Sequence, residues 1–209
     1  MRDIIFWDVD TQVDFMEPFG KLSVPGADLI KSNLAILTTL GNMRCFMSGS
    51  VDAHTPSDDE FNSWPEHCVY GTPGQMKIPE SVIPNSLFVP TVKLTTKQLS
   101  EVSTFNGQVL FEKQHIEIGT NSNVKSFLNF VDPERIVVYG VATDICVDQT
   151  VSYLARELGY EVLVVIDAIK ELDSGKAWRC LEDWRSMGVS LQNTEGLTIS
   201  INQIRKKVN

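Results

Sequence analysis

The chain has 209 residues, a length that one α/β domain fills with a single core. With 43% apolar and 22% charged residues it is neither disordered nor fibrous. Eighteen basic against 27 acidic side chains leave a net charge of −9, which excludes a basic nucleic-acid face and docking on anionic lipid.

In chain order, the first element is an apolar run from Ile4 to Val9, too short and too quickly acidic for a signal peptide. Next come Leu29, Ile30, Leu34, Leu37 and Leu40, spaced by threes and fours into a helical stripe that Asn33 interrupts, with Gly41 as the expected stop. A second strand is predicted over Arg44 to Gly49. From Ser50 to Leu87 no period holds; the stretch is rich in Pro, Gly, Ser, Asp and His, and a loop that long is as a rule functional. A strand over Val109 to Glu112 precedes a helix carrying Val124, Phe127, Leu128 and Val131. A strand over Arg135 to Val141 leads to a helix with Val147, Val151, Leu154 and Leu158, closed by Gly159. A strand over Glu161 to Ile166 is followed by a helix with Ala177, Leu181, Trp184 and Met187. Asp173 and Ser174 are its candidate caps and Gly188 its end, before an edge strand over Val189 to Leu191.

The strand runs are continuously apolar, as in a sheet covered on both faces. Their alternation with helices predicts a three-layer α/β/α, Rossmann-like fold with a mostly parallel sheet, and a single domain over 1–209. No run of about 18 apolar residues exists, so no transmembrane helix is expected. There is no repeat or linker, and Lys206-Lys207 is too short for a basic arm. Neither phosphate-cradling glycine motif occurs: Gly20-Lys21 and Gly175-Lys176 lack the upstream glycine. Four cysteines (Cys45, Cys68, Cys146, Cys180) stand far apart with no C-x-x-C pair, which argues for reduced thiols and a cytoplasmic location.

Sites in such sheets gather at the carboxyl ends of strands. Asp10 follows the first predicted strand, Asp52 and His54 the second, Lys113 the third, and Cys146 the strand at 135–141. Cys146 falls in a first helical turn, where unpaired N–H groups stabilise a thiolate and can hold an oxyanion; it reads equally as a small apolar residue on the helix's core stripe. Beside a thiol nucleophile, Asp10 suits a base and Lys113 an electrostatic partner; alone, they read as a helix cap and a surface lysine. Asp52-x-His54 offers an oxygen and a nitrogen suited to Zn²⁺, Mn²⁺ or Fe²⁺, and otherwise reads as a turn. His67 lies thirteen residues on, with Glu60 and Glu66 as further oxygen donors and Glu60 the better placed; His115 has no clear role.

The ordered set Asp10-x-Gln12-x-Asp14-Phe15, Asp52-x-His54, Trp64-Pro65-x-His67-Cys68, Gly71-Thr72-Pro73-Gly74, Phe111-x-Lys113 and Gly140-Val141-Ala142-Thr143-Asp144-x-Cys146-Val147 resembles the isochorismatase-like cysteine hydrolases, and most of all the nicotinamidases. The resemblance spans about residues 4 to 167. It implies the isochorismatase-like hydrolase fold, a catalytic triad of Asp10, Lys113 and Cys146, and one divalent metal, zinc first, on Asp52, His54 and His67 with Glu60 as a fourth ligand. It further implies a cis peptide at Val141–Ala142, an oxyanion hole from the N–H groups of Ala142 and Cys146, and ring-binding walls at Phe15 and Trp64. The chain departs from the pattern at Val13, at Gln114, between Thr55 and Asp59, where a second His is usual, and after Asp167.

The implied activity is hydrolysis of nicotinamide to nicotinate and ammonia through a Cys146 thioester, in NAD salvage. The implied partner is a small amide, with neither nucleic acid nor membrane, and a homo-oligomer is common among relatives. Two alternatives remain: a metal-free amidase or carbamoyl hydrolase acting on another small amide, and a catalytically silent domain that binds a ligand through the same pocket.

Overall fold

A computed structural model describes residues 3–208, with side chains to residue 203. Seven strands form one sheet: β1 Ile4–Val9, β2 Phe46–Asp52, β3 Ser86–Val89, β4 Gln108–Lys113, β5 Arg135–Val141, β6 Glu161–Lys170 and β7 Ser190–Gln192. Their order is β3-β4-β2-β1-β5-β6-β7 and every pairing is parallel. The helices are α1 Val13–Met16, α2 Lys31–Arg44, α3 Thr96–Ser103, α4 Asn123–Val131, α5 Asp148–Ser152, α6 Ser174–Ser186 and α7 Thr194–Val208.

Alternate residues of each central strand enter opposite cores, as the strand period requires. Ile5, Trp7 and Val9 of β1 pack with Phe127 of α4, Val151 of α5 and Trp184 of α6 on one face. Ile4 and Phe6 pack with Met16 of α1, Leu34 and Leu37 of α2 and Leu197 of α7 on the other. The sheet is thus the middle of three layers, as expected. Its order reverses at β1, with β2 on one side and β5 on the other, and ligand crevices form at such switch points.

Several boundaries differ from the sequence expectation. β2 extends three residues past Gly49, because its small polar residues are satisfied inside the sheet: Ser48 Oγ donates to the Val109 carbonyl (3.0 Å) and Ser50 Oγ to Asp10 (2.7 Å). β6 runs on past Ile166 to Lys170 across a register shift against β5. Gly41 does not stop α2, which continues to Arg44. A Cβ there would overlap the Met47 sulfur and press on the Phe6 ring, so this glycine lets the helix lie close on the sheet. Asn33 interrupts the α2 stripe to donate to the Asp167 carbonyl of β6 (2.5 Å). β3 begins inside the predicted loop, at Ser86, and ends just past it, at Val89. The short, polar α3 and the C-terminal α7 are elements that the periodicity does not predict; α3 opens with a capping box between Thr95 and Gln98.

Candidate active site

Four strand ends meet at the switch point. Asp10 follows β1, Asp52 ends β2, Lys113 ends β4, and Cys146 sits three residues past Thr143, where β5 gives way to a π turn over Thr143–Val147 that leads into α5. The predicted tight turn into a helix is therefore present, with a wider first turn. The Val141–Ala142 peptide is cis, as the resemblance implied.

Lys113 is the hub. Its ammonium lies 2.9 Å from Asp10 Oδ2, forms a short contact with Asp52 Oδ1, and stands 3.6 Å from Cys146 Sγ. Its side chain is 1% exposed, so a surface role is excluded. Two buried carboxylates offset the burial that would otherwise discharge it, and hold its pKa well above the ordinary lysine value. Burial pushes Asp10 above the usual carboxylate range, against the pull of Lys113. Burial acts on Asp52 as well, but there Lys113 and the neighbouring His54 and His67 rings prevail and hold its carboxyl below that range. Burial also drives the Cys146 thiol well above its ordinary value, opposed by Lys113 and reinforced by Asp10 and Asp52. Burial thus works against the thiolate that the helix terminus and Lys113 favour.

Asp52, His54 and His67 converge with candidate ligand atoms within 4.8 Å of one another. His54 Nε2 and His67 Nε2 stand 3.7 and 3.8 Å from Asp52 Oδ2. Ligand atoms about 2.1 Å from a tetrahedral ion stand roughly 3.4 Å apart, so the spacing suits one divalent cation. The imidazole tautomers agree. His67 Nδ1 donates to the Pro65 carbonyl (2.7 Å) and His54 Nδ1 faces Asp58 Oδ2 (3.0 Å); both partners can only accept, so each ring turns Nε2 toward the common point. His54 Nε2 is buried there without a hydrogen-bond partner, which fits an ion. Glu60 lies outside the converging group, with Oε1 3.8 Å from His67 Nε2. Glu66 is at the surface beside Lys21 (3.4 Å), and His115 is exposed.

Asp52, Glu60, His67 and Cys146 line one cavity. Its apolar walls include Phe15, Trp64, Leu22, Val24, Ile116 and Leu172, and Ala142 adjoins Cys146 on its floor. Phe15 and Trp64 thus reach the expected cavity, whereas Asp10 and Lys113 lie buried beneath it.

The structure adds supports that sequence reading left without roles. Gln12 bonds both backbone groups of Asp52: its Oε1 accepts from Asp52 N–H (2.7 Å) and its Nε2 donates to Asp52 C=O (2.8 Å). Asp14 accepts from the N–H of Cys68 (2.7 Å), next to His67, and from that of Lys21 (3.1 Å). Gly74 packs on that carboxylate so tightly that a Cβ would overlap it. Asp144 accepts from the N–H groups of Leu172 (2.8 Å) and Asp173 (3.0 Å), fixing the wall that comes after β6. Gln12, Asp14 and Asp144 all stand in the quoted motifs, which was the available signal.

The isochorismatase domain family matches residues 8–195. The chain belongs to that family. This isochorismatase-family chain is 27% identical over 201 residues, 91% of its length and 98% of the relative's, to a nicotinamidase/pyrazinamidase of Mycobacterium tuberculosis. Its fold matches that of a Pyrococcus horikoshii pyrazinamidase solved in complex with zinc, with TM-score 0.74 and 24% identity over 91% of this chain and 99% of that one. It also matches an N-carbamoylsarcosine amidase from Thermoplasma acidophilum, with TM-score 0.68 and 21% identity over 93% and 97%. The chain is thus a hydrolase of the isochorismatase family, whose nicotinamidase members act on amide C–N bonds. Among its described residues no helix is long and apolar enough to cross a membrane.

Proposed function

We propose that this chain is a single-domain, metal-containing cysteine amidohydrolase that converts nicotinamide to nicotinate and ammonia, acting in cytoplasmic NAD salvage. The observation that carries the reading is the converging group of Asp52, His54 and His67, of which Asp52 and His67 line the cavity that also holds Cys146. A divalent ion there, zinc by its nitrogen-rich donor set, would hold the pyridine nitrogen directly or through a water.

Asp10 is the base and Cys146 the nucleophile. Burial holds both groups protonation-prone, so the Cys146 proton passes to Asp10 as Sγ attacks the amide carbon. The N–H groups of Ala142 and Cys146 receive the developing oxyanion. Asp10 returns the proton to the departing nitrogen, the C–N bond breaks, and ammonia leaves a thioester. Asp10 then takes a proton from water, the hydroxide attacks the thioester carbon, the C–S bond breaks, and the sulfur regains its proton. Lys113 stays charged throughout and balances Asp10 and Asp52. Phe15 and Trp64 hold the ring between them.

The second reading, a carbamoyl-type amidase, is favoured by the likeness to the N-carbamoylsarcosine amidase fold. The cavity weighs against it. Among the described residues no Lys or Arg lines the pocket, and Lys113 beneath it is already shared by two carboxylates. A substrate carboxylate would find no cationic side chain and would have to compete for the metal position, whereas a pyridine ring amide offers that position a neutral nitrogen and needs no other cation. The test is ammonia release by zinc-loaded protein from nicotinamide, N-carbamoylsarcosine and maleamate. The expected kcat/KM is at least about tenfold higher for nicotinamide, the cost of one unpaired buried polar group. Preference for either acid establishes the second reading. No release from any of them, with Cys146 inert to alkylation, establishes a silent ligand-binding domain.

A further inference from the structure

Asp58 belongs to neither the triad nor the converging metal donors, yet its carboxylate is aimed at a candidate ligand. Its Oδ2 lies 3.0 Å from His54 Nδ1, four residues back in the chain. His54 is wholly buried and Asp58 partly so, with 17% of its side chain exposed. The carboxylate is itself held in place. It accepts from the Thr55 N–H (3.0 Å) and from Thr55 Oγ1 (2.5 Å), and the Asp58 N–H returns a bond to the Thr55 carbonyl (3.1 Å). The Phe61 ring lies against the imidazole, with centroids 5.1 Å apart, and limits its rotation. The two histidines are thus oriented differently, His67 by a backbone carbonyl and His54 by a fixed carboxylate.

We propose that Asp58 is the positioning residue of the metal centre. It locks the neutral His54 ring in the Nδ1–H tautomer, aims the Nε2 lone pair at the point shared with Asp52 and His67, and makes that nitrogen a stronger donor. An imidazole is free to carry its proton on either nitrogen, and the tautomer with Nε2–H cannot bind an ion through Nε2. A carboxylate on Nδ1–H removes that choice and raises ligand basicity. The proposal rests on the reading of Asp52, His54 and His67 as metal ligands, and its test separates the two.

Two measurements decide it. Long-range proton–nitrogen NMR of the metal-free protein, recorded where the rings are neutral, reads the His54 tautomer directly; with only three histidines in the chain the spectrum is readily assigned. Zinc affinity is then measured by competition with a chelator for wild type, Asp58→Ala, Asp58→Asn and Thr55→Val. Wild type is expected as the Nδ1–H tautomer. Asp58→Ala should lose that preference and bind zinc roughly 10–100-fold more weakly, the usual loss for such an outer partner. Asp58→Asn keeps an acceptor without the charge, so it should fall between and serves if the alanine variant folds poorly. Thr55→Val removes one of the two bonds that hold the carboxylate but leaves the His54 contact, so its loss should be smaller than that of Asp58→Ala. Zinc affinity unchanged in Asp58→Ala overturns the proposal, as does an equal loss in Thr55→Val, which would mean that Asp58 acts only by holding the turn. If wild type binds no zinc, the metal reading fails, while the His54 tautomer still decides whether Asp58 orients the ring.

Discussion

Lys113→Met is the sharpest perturbation of this site, because it removes a charge while keeping most of the side-chain volume. The ammonium lies 2.9 Å from Asp10 and in close contact with Asp52, and all three side chains are at most 3% exposed. At 2.9 Å and an effective dielectric of about 20, the attraction to Asp10 alone is about 6 kcal/mol before desolvation is counted. Desolvation cancels much of that in the wild type, but the variant keeps both carboxylates buried with no cation. The expected loss is therefore about 3–5 kcal/mol of folding stability, roughly 6–20 °C in Tm for a chain of this size. The pH dependence has a definite sign. Without the ammonium both carboxyls bind a proton more tightly folded than unfolded, so protonation favours folding. The variant's deficit should be full near pH 8 and shrink toward pH 5. Urea unfolding of metal-free protein at the two pH values measures this. A loss under about 1 kcal/mol, or a deficit that grows on acidification, would refute the hub assigned to Lys113.

Asp10→Asn should lower kcat by roughly 10²–10⁴-fold with little change in KM, read in steady-state ammonia release, since the base lies beneath the cavity and touches no ring. Gly74→Ala would drive a methyl into the Asp14 carboxylate that holds the Cys68 N–H; it should cost about 1–3 kcal/mol in urea unfolding and weaken zinc binding through His67. Because burial holds the Cys146 thiol well above its ordinary value, its alkylation by iodoacetamide should be slow at neutral pH and accelerate as the pH rises. The rate should be lower still in Lys113→Met, which lacks the one group pulling that value down. A rate that levels off below pH 7 would contradict that upward shift.

How much of this was legible in the sequence varies by element. The long apolar strands at Ile4–Val9 and Arg135–Val141 were placed to the residue, because both faces of each are buried and the pattern is unambiguous. The end of β2 is hidden from hydropathy, because Ser50 and Asp52 are polar residues whose partners lie inside the fold. β3 and α3 are short elements at the sheet edge, where half-exposure dilutes the period. Gly41 does not end its helix: in sequence, a glycine needed for close packing looks the same as one needed for a turn. At the site, strand ends gave the chemistry-bearing residues, since a parallel sheet gathers them at one edge. What one chain's letters could not show is how charges are shared. The contact between Lys113 and Asp52, which joins the triad to the metal donors, depends on the register of β2 against β4, where those two residues are partners. The outward bonds of His54 to Asp58 and of His67 to Pro65 depend on turns within a loop that has no period.

The central claim is that Cys146 carries the acyl group of nicotinamide. Zinc-loaded protein turning over nicotinamide, quenched in acid and digested, tests it by mass spectrometry. The account predicts a nicotinoyl thioester on the peptide containing Cys146, absent from Cys146→Ala, which should also release no ammonia. Ammonia released with no adduct, an adduct on another side chain, or turnover that survives in Cys146→Ala would contradict it.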